Sequence, residues 1–262
     1  DIFDHPTGDK VLQYLSMISK KQFRGEDIIT RYGGEEFVVL LDDCDKKDGF
    51  LRMETFRKYL EEHPLEIRDL PVISDHKGEL DLLKIIINMI KYEQLENPTK
   101  EILWSKLNSN QIVIKETENE NFKEALNELF SHIIENNITG ADIPFNDNTI
   151  KAVEDIFEKR GIKPDSLKLN INLNLTASIG VESLDYHTLR SFTEMNKNLP
   201  KDVLIELLKK EAGISEDFFE ELSQEQLAMM HVFIIHLKTA DERMKTAKQT
   251  GRNRVLNGMT NH

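Results

Sequence analysis

The sequence predicts an α/β protein with long, mainly helical stretches. Three observations carry the prediction: a hairpin pattern over residues 27–41, a strict two-residue alternation over 167–181, and helical spacing of apolar side chains through much of the remainder.

In chain order, Val11, Leu12, Leu15, Met17 and Ile18 stand at helical spacing within 9–19. Asp27-Ile28-Ile29-Thr30-Arg31-Tyr32 then leads into a hairpin with β-branched residues, and Phe37-Val38-Val39-Leu40-Leu41 leads out as a strand buried on both faces. Gly33-Gly34 is read as the turn. Glycine reaches positive φ without strain, and without a side chain it admits a ligand phosphate close to the backbone. Glu35 and Glu36 follow at the strand start, where alternation sends one carboxylate to each side. Such a tip can hold metal and phosphate, although the same four residues equally describe an ordinary turn with two solvated glutamates.

Phe50, Met53, Phe56, Arg57 and Leu60 predict a second helix, packed with the first on the hairpin sheet. Residues 80–92 are apolar almost all round and predict a helix buried on more than one side. Asn97-Pro98 reads as a helix start that carries Trp104 into the core. Phe122, Ala125, Leu126, Leu129, Phe130, Ile133 and Ile134 keep the spacing of an amphipathic helix, and Ile150, Val153, Ile156 and Phe157 continue in kind. From Leu167 to Val181 every odd position is apolar, the mark of a half-buried strand or of two in succession. Ser223 with Gln226 forms a capping box that opens one helix from about Gln224 to Gln249. That helix would fuse the preceding residues directly to the segment carrying Asp241 and Lys248.

At 262 residues, with 39% hydrophobic and 31% charged side chains, the chain can build one large domain or two small ones. Cys44 is the single cysteine, which excludes a disulfide framework and paired-cysteine zinc patterns, and fits a reducing, cytoplasmic compartment. No apolar run approaches the roughly 20 residues that span a bilayer, and no signal peptide is visible. Membrane attachment is therefore expected only through upstream regions. A net charge of −13 opposes binding of a nucleic-acid polymer, which needs a positive surface, but permits one nucleotide held by a local Lys/Arg cluster and magnesium. His231 and His236, five apart, do not share a helical face, and no zinc site is read there.

Four separated segments, in order, resemble one family. Arg31-Tyr32-Gly33-Gly34-Glu35-Glu36-Phe37 resembles the signature hairpin of the GGDEF family, the diguanylate cyclases, in its GGEEF form. His5-Pro6-Thr7-Gly8-Asp9-Lys10-Val11-Leu12 resembles GHxxGDxxL, with Asp4 where the family has glycine. Thr176-Ala177-Ser178-Ile179-Gly180-Val181 resembles the TVSIGVA strand, and Ala240-Asp241 with Ala247 to Val255 resembles the closing ADxALYxAKxxGRNRV. The resemblance covers roughly 1–65, 170–186 and 232–257.

It implies a GGDEF-like, nucleotidyl cyclase-type mixed central sheet flanked by helices. The domain plan is a first GGDEF part at 1–65, a mainly helical insertion at 66–167, a GGDEF strand at 168–186, a second helical insertion at 187–231, and a closing helix and strand at 232–262. It also implies a piece of a longer protein: Asp1 would match the final Asp of the family's Asn-Asp pair, so the first metal carboxylate and a guanine-contacting Asn would precede it.

By the same resemblance Glu35 is a metal ligand that helps activate a hydroxyl, Glu36 is the second acid, and Gly33 and Gly34 admit phosphates. Asp9 reads guanine, since a carboxylate can accept from N1–H and N2–H₂ together. Lys248 and Arg252 form a phosphate-binding pair, four apart so that both can emerge on one side of a helix end. Arg24 and Asp27 match the RxxD product-inhibition motif, with Arg57 as a secondary contact unless it is simply an exposed helical arginine. The implied activity is condensation of two GTP to cyclic di-GMP in a two-fold dimer, with Mg2+ (Mn2+ as the alternative metal). Two other readings stay open: an inactive GGDEF domain acting as a cyclic di-GMP or GTP receptor, and a GTP switch whose insertions bind protein.

Overall fold

The computed structural model describes residues 2–74, 80–110, 112–136, 147–164, 167–212, 219 and 221–256. Asp1, His76 and His262 lie outside the described residues. In chain order come α1 (His5–Gln22), β1 (Ile28–Gly33), β2 (Glu36–Leu40), α2 (Lys46–Glu62), β3 (Leu65–Pro71), α3 (Leu82–Tyr92) and α4 (Lys100–Ser109). After them come β4 (Ile112–Ile114), α5 (Glu120–Glu135), α6 (Asp147–Glu158), β5 (Lys168–Leu173) and β6 (Ile179–Gly180). The chain continues through α7 (Tyr186–Asn196), α8 (Lys201–Ala212), α9 (Gln224–Gln249) and β7 (Val255–Leu256). Two compact units result, one from Asp1–Ser19 and Glu61–Leu175, the other from Lys20–Leu60 and Thr176–His262.

In the first unit β5 is the centre of a three-stranded antiparallel sheet ordered β3-β5-β4. Its alternation works as the sequence predicts. Leu169, Ile171 and Leu173 turn inward, and Ile67 and Ile114 both pair with Ile171 across the ladder. Against this sheet lies α3, whose Leu82, Leu83, Ile85, Ile86, Ile87, Met89 and Ile90 are all buried. Such a helix is apolar on nearly every side because neighbours cover nearly every side. Its start is fixed by Asp81, which accepts from the Lys84 amide at 2.7 Å and the Ser74 amide at 3.0 Å. Burial is the main influence on that carboxyl and pushes it above the ordinary Asp value despite the amides and Lys84.

Trp104 packs at the edge of the same core, donating to Asn127 Oδ1 at 2.7 Å and meeting the Phe130 ring edge-on. The helix carrying it begins at Lys100, not at Asn97-Pro98. Thr99 is the cap, because its Oγ1 accepts from the Ile102 amide at 3.3 Å and Pro98 has no amide to offer. Asp4 caps α1 in the same manner, its Oδ1 taking the Thr7 amide at 2.9 Å, which gives the departure from the family glycine a local purpose.

In the second unit α9 is the long axis that its pattern predicts, opened by the Ser223/Gln226 capping box. Leu204 and Leu208 of α8 and Phe219 pack with Leu227, Ala228 and Ile234 on the first half of α9. The second half runs against β6 so closely that a Cβ at Gly180 would stand 1.8 Å from the Ala240 carbonyl oxygen. β6 pairs with β7 in parallel, and β1 pairs with β2 antiparallel. The α/β class and both kinds of pairing are therefore present, divided among three small sheets in the described residues.

Two local expectations change. The run 167–181 is strand at its two ends only, with 174–178 irregular, since the ladder partners of β5 end at Leu65 and Ile112 opposite Leu173. β2 is half-buried and not covered on both faces, because the hairpin is a two-stranded ribbon whose Ile28 and Tyr32 remain exposed.

Candidate active site

The hairpin register places the turn one residue later than its sequence suggests. Gly33 pairs with Glu36, so the loop is Gly34-Glu35, and only Gly34 takes a positive φ, of 48°. A register shift between Arg31 and Gly33 leaves Tyr32 as an extra residue, a bulge that sharpens the local twist. Arg31 braces the loop by donating its Nε–H to the Gly34 carbonyl at 2.8 Å. A Cβ at Gly33 or Gly34 would meet nothing within 4 Å, so neither glycine is demanded by packing within the chain.

Because Glu35 lies in the loop and not in the strand, the two carboxylates do not diverge. Both face one ammonium: Lys248 Nζ is 3.8 Å from Glu35 Oε1 and 3.5 Å from Glu36 Oε1. Glu35 is 86% exposed and Glu36 39%, so both stay accessible from solvent. One turn earlier on α9, Lys245 is held by Asp241 at 2.6 Å, and Asp241 with Glu36 behind it raises the lysine above its ordinary pKa. The tip thus sets two acids against the basic end of a helix.

That helix end is not the simple pair of steps the four-residue spacing implies. α9 stops at Gln249, and Gly251, Arg252 and Asn253 all take positive φ, of 124°, 54° and 43°. The Arg252 amide reaches back to the Ala247 carbonyl at 2.9 Å, closing the helix while its side chain remains exposed. Lys248 is therefore delivered by helix geometry and Arg252 by a left-handed turn. Two successive non-glycine residues in that region cost on the order of 1 kcal/mol each or more.

Asp27 is fully buried and its carboxylate is engaged: it accepts from the Arg24 amide at 2.7 Å and the Asp42 amide at 3.3 Å, and is ion-paired with Arg52. Burial pushes this carboxyl up, but Arg52 and the two amides outweigh it and hold it below the ordinary Asp value. Arg24 itself is exposed. Arg57 is nearly buried and forks onto Glu54 of its own helix at 2.9 and 2.7 Å, so it is no freely exposed arginine. Asp9 is exposed on α1 in the first unit, whereas Gly33, Gly34, Glu35, Glu36, Lys248, Arg252, Arg24 and Asp27 all belong to the second.

Sequence reasoning missed two residues. Arg52 carries no pattern signal, since a lone arginine on a helix is usually solvated. Glu182 had one: it stands where the TVSIGVA segment ends in alanine. Its carboxylate joins Lys46 at 2.8 Å, Arg243 at 2.5 Å and the Ser183 amide at 2.9 Å.

Among the described residues no group of three or more His, Cys, Asp and Glu side chains gathers to hold a metal. The donor pair that does converge, Glu35 with Glu36, consists of the hard oxygens that magnesium prefers. No described helix is long and apolar enough to cross a membrane.

An acidic hairpin tip opposed by a lysine-bearing helix end defines an α/β protein with a charged, solvent-open site. Residues 1–73 match the family model described as "Diguanylate cyclase, GGDEF domain". The chain is similar to Diguanylate cyclase A of Treponema denticola, 29% identical over 118 residues that cover 41% of this chain and 32% of that protein. To Diguanylate cyclase DgcP of Pseudomonas aeruginosa it is 38% identical over 72 residues, covering 28% of this chain and 11% of the relative. To Response regulator PleD of Caulobacter vibrioides it is 34% identical over 67 residues, 26% of this chain and 15% of the relative. The chain thus spans less than a third of the length of each of these relatives. No solved structure matches it significantly.

Proposed function

We propose that this chain is the GGDEF portion of a cytoplasmic diguanylate cyclase, which condenses two GTP into cyclic di-GMP with release of pyrophosphate. The observation that carries the reading is the convergence of Glu35, Glu36 and Lys248 at one open hairpin tip. In each of two steps a 3′-hydroxyl oxygen bonds to the α-phosphorus of the other GTP, the α–β anhydride breaks, and pyrophosphate leaves.

Lys248 and Arg252 supply positive charge to the triphosphate, and the open space above Gly33 and Gly34 leaves room for phosphate oxygens beside the backbone. Glu35 takes the hydroxyl proton, and Glu35 with Glu36 would hold Mg2+ or Mn2+. When bound, that ion neutralises phosphate charge and steadies the attacking and leaving oxygens. Each protomer brings one GTP, so turnover takes place in a two-fold dimer.

Product feedback falls to Arg24, which is exposed, and to Asp27. The receptor alternative rests on the same two residues. It is the weaker reading, because the Asp27 carboxylate is already engaged by Arg52 and two amides while Glu35 stands open.

The full-length protein incubated with GTP and magnesium should release cyclic di-GMP and pyrophosphate, and Glu35→Ala should abolish both. GTP binding without product would transfer the reading to the receptor alternative.

A further inference from the structure

Two positions depart from the family segments in a matched way. Where TVSIGVA ends in alanine this chain has Glu182, and where ADxALY has its second alanine this chain has Arg243. The structure brings those two departures together at 2.5 Å, and Lys46, at the start of the helix that follows the hairpin, completes the cluster at 2.8 Å. Arg243 also donates to the Val181 carbonyl at 2.6 Å, so the clamp grips the backbone beyond β6 as well as the side chain. These side chains are largely shielded, at 14% exposure for Glu182, 20% for Arg243 and 27% for Lys46. Desolvated, mutually bonded charges fix geometry more firmly than exposed pairs do.

Arg243 lies five residues before Lys248 on the same helix, roughly 7.5 Å along its axis. The Gly180 contact with Ala240 and Met244 leaves β6 and α9 no room to slide at that point. We infer that Glu182 is a positioning residue: by tying α9 to the start of α2 it sets where Lys248 meets Glu35 and Glu36. This rests on the reading of that tip as the GTP site. It assigns a purpose to two residues that the family segments do not contain.

A residue that acts through Lys248 should lose its effect when Lys248 is gone. In the full-length protein, Glu182→Ala should raise the KM for GTP about tenfold while kcat changes less than threefold. In a Lys248→Ala background the same substitution should add less than a twofold change. An equal loss in both backgrounds would make Glu182 a mere staple and overturn the proposal. Glu182→Gln, which keeps size and one hydrogen bond, serves as the second variant should Glu182→Ala fail to fold, and the same cycle applies to it.

A second measurement needs no nucleotide. Spin labels at Thr30→Cys and Gln249→Cys, in a Cys44→Ser background, report the distance between hairpin and helix end. That distribution should broaden on Glu182→Gln, and an unchanged narrow distribution overturns the positioning role. If the parent protein binds no GTP, the proposed function falls while this distance measurement still decides the inference.

Discussion

Lys248 holds its ammonium 3.5 Å from the Glu36 carboxylate, so the helix-end lysine and the hairpin acid neutralise one another across the tip. The pair is half-exposed, and such pairs contribute only about 0–1 kcal/mol to folding. Lys248→Ala should therefore leave the urea midpoint nearly unchanged. GTP binding, followed by calorimetry with magnesium, should weaken about tenfold or more, because a triphosphate offers that ammonium far more negative charge than two solvated glutamates do. A large loss of stability with unchanged binding would assign Lys248 to the fold alone.

The Asp27–Arg52 pair is a different kind of contact, since its carboxylate is buried and accepts two backbone amides besides. Arg52→Ala should destabilise the second unit by about 3 kcal/mol, the usual consequence of leaving one buried charge alone. Hydrogen exchange at the Arg24 and Asp42 amides should speed up in the same variant. The pH dependence has a definite sign. With its folded pKa below the ordinary 3.8, Asp27 contributes stability that is present above that value and lost as pH falls through the folded one. Arg52→Ala should therefore narrow the stability difference between pH 7 and acid.

Much of this was legible because it is periodic. The helix from Gln224 to Gln249 was readable to the residue, since a capping box marks its start and apolar steps mark its face. The buried α3 and the alternation through β5 were readable for the same reason. The hairpin tip was legible as a tip but not in register: adjacent glycines suggest the turn themselves, and only pairing with β1 shows that Glu35 belongs to the loop. The partners of Asp27 and Glu182 were not legible. Arg52 lies 25 residues from Asp27, and Lys46 lies 136 from Glu182, so folding supplies those neighbours and no local spacing announces them.

Gly180 and Gly33 are both glycines in motifs, yet they should respond oppositely to a methyl group. At Gly180 an added Cβ would lie 1.8 Å from the Ala240 carbonyl oxygen, and strand or helix must move. Gly180→Ala should cost about 3 kcal/mol or prevent folding, as overpacking against backbone does. At Gly33 the added methyl meets nothing and φ is not positive, so Gly33→Ala should shift thermal stability by less than about 1 kcal/mol. Its effect should appear in GTP affinity, where the methyl would occupy the space given to phosphate. A Gly33→Ala protein that unfolds would remove the case for that open space.

Asp81 provides a pH test of opposite sign, confined to the first unit. Its carboxyl is raised, chiefly by burial, so its contribution is fully present below the unfolded value of 3.8 and declines as pH rises through the folded one. Asp81→Asn keeps one acceptor oxygen for two amides and has nothing to ionise. The variant should therefore be most destabilised relative to the parent near pH 4, and the gap should shrink toward pH 7. Trp104, the single tryptophan, packs in the same core and reports unfolding of this unit by fluorescence. A gap that widens with pH would mean that Lys84, 3.4 Å from the carboxylate, prevails over burial and that Asp81 works as an ion-paired anion.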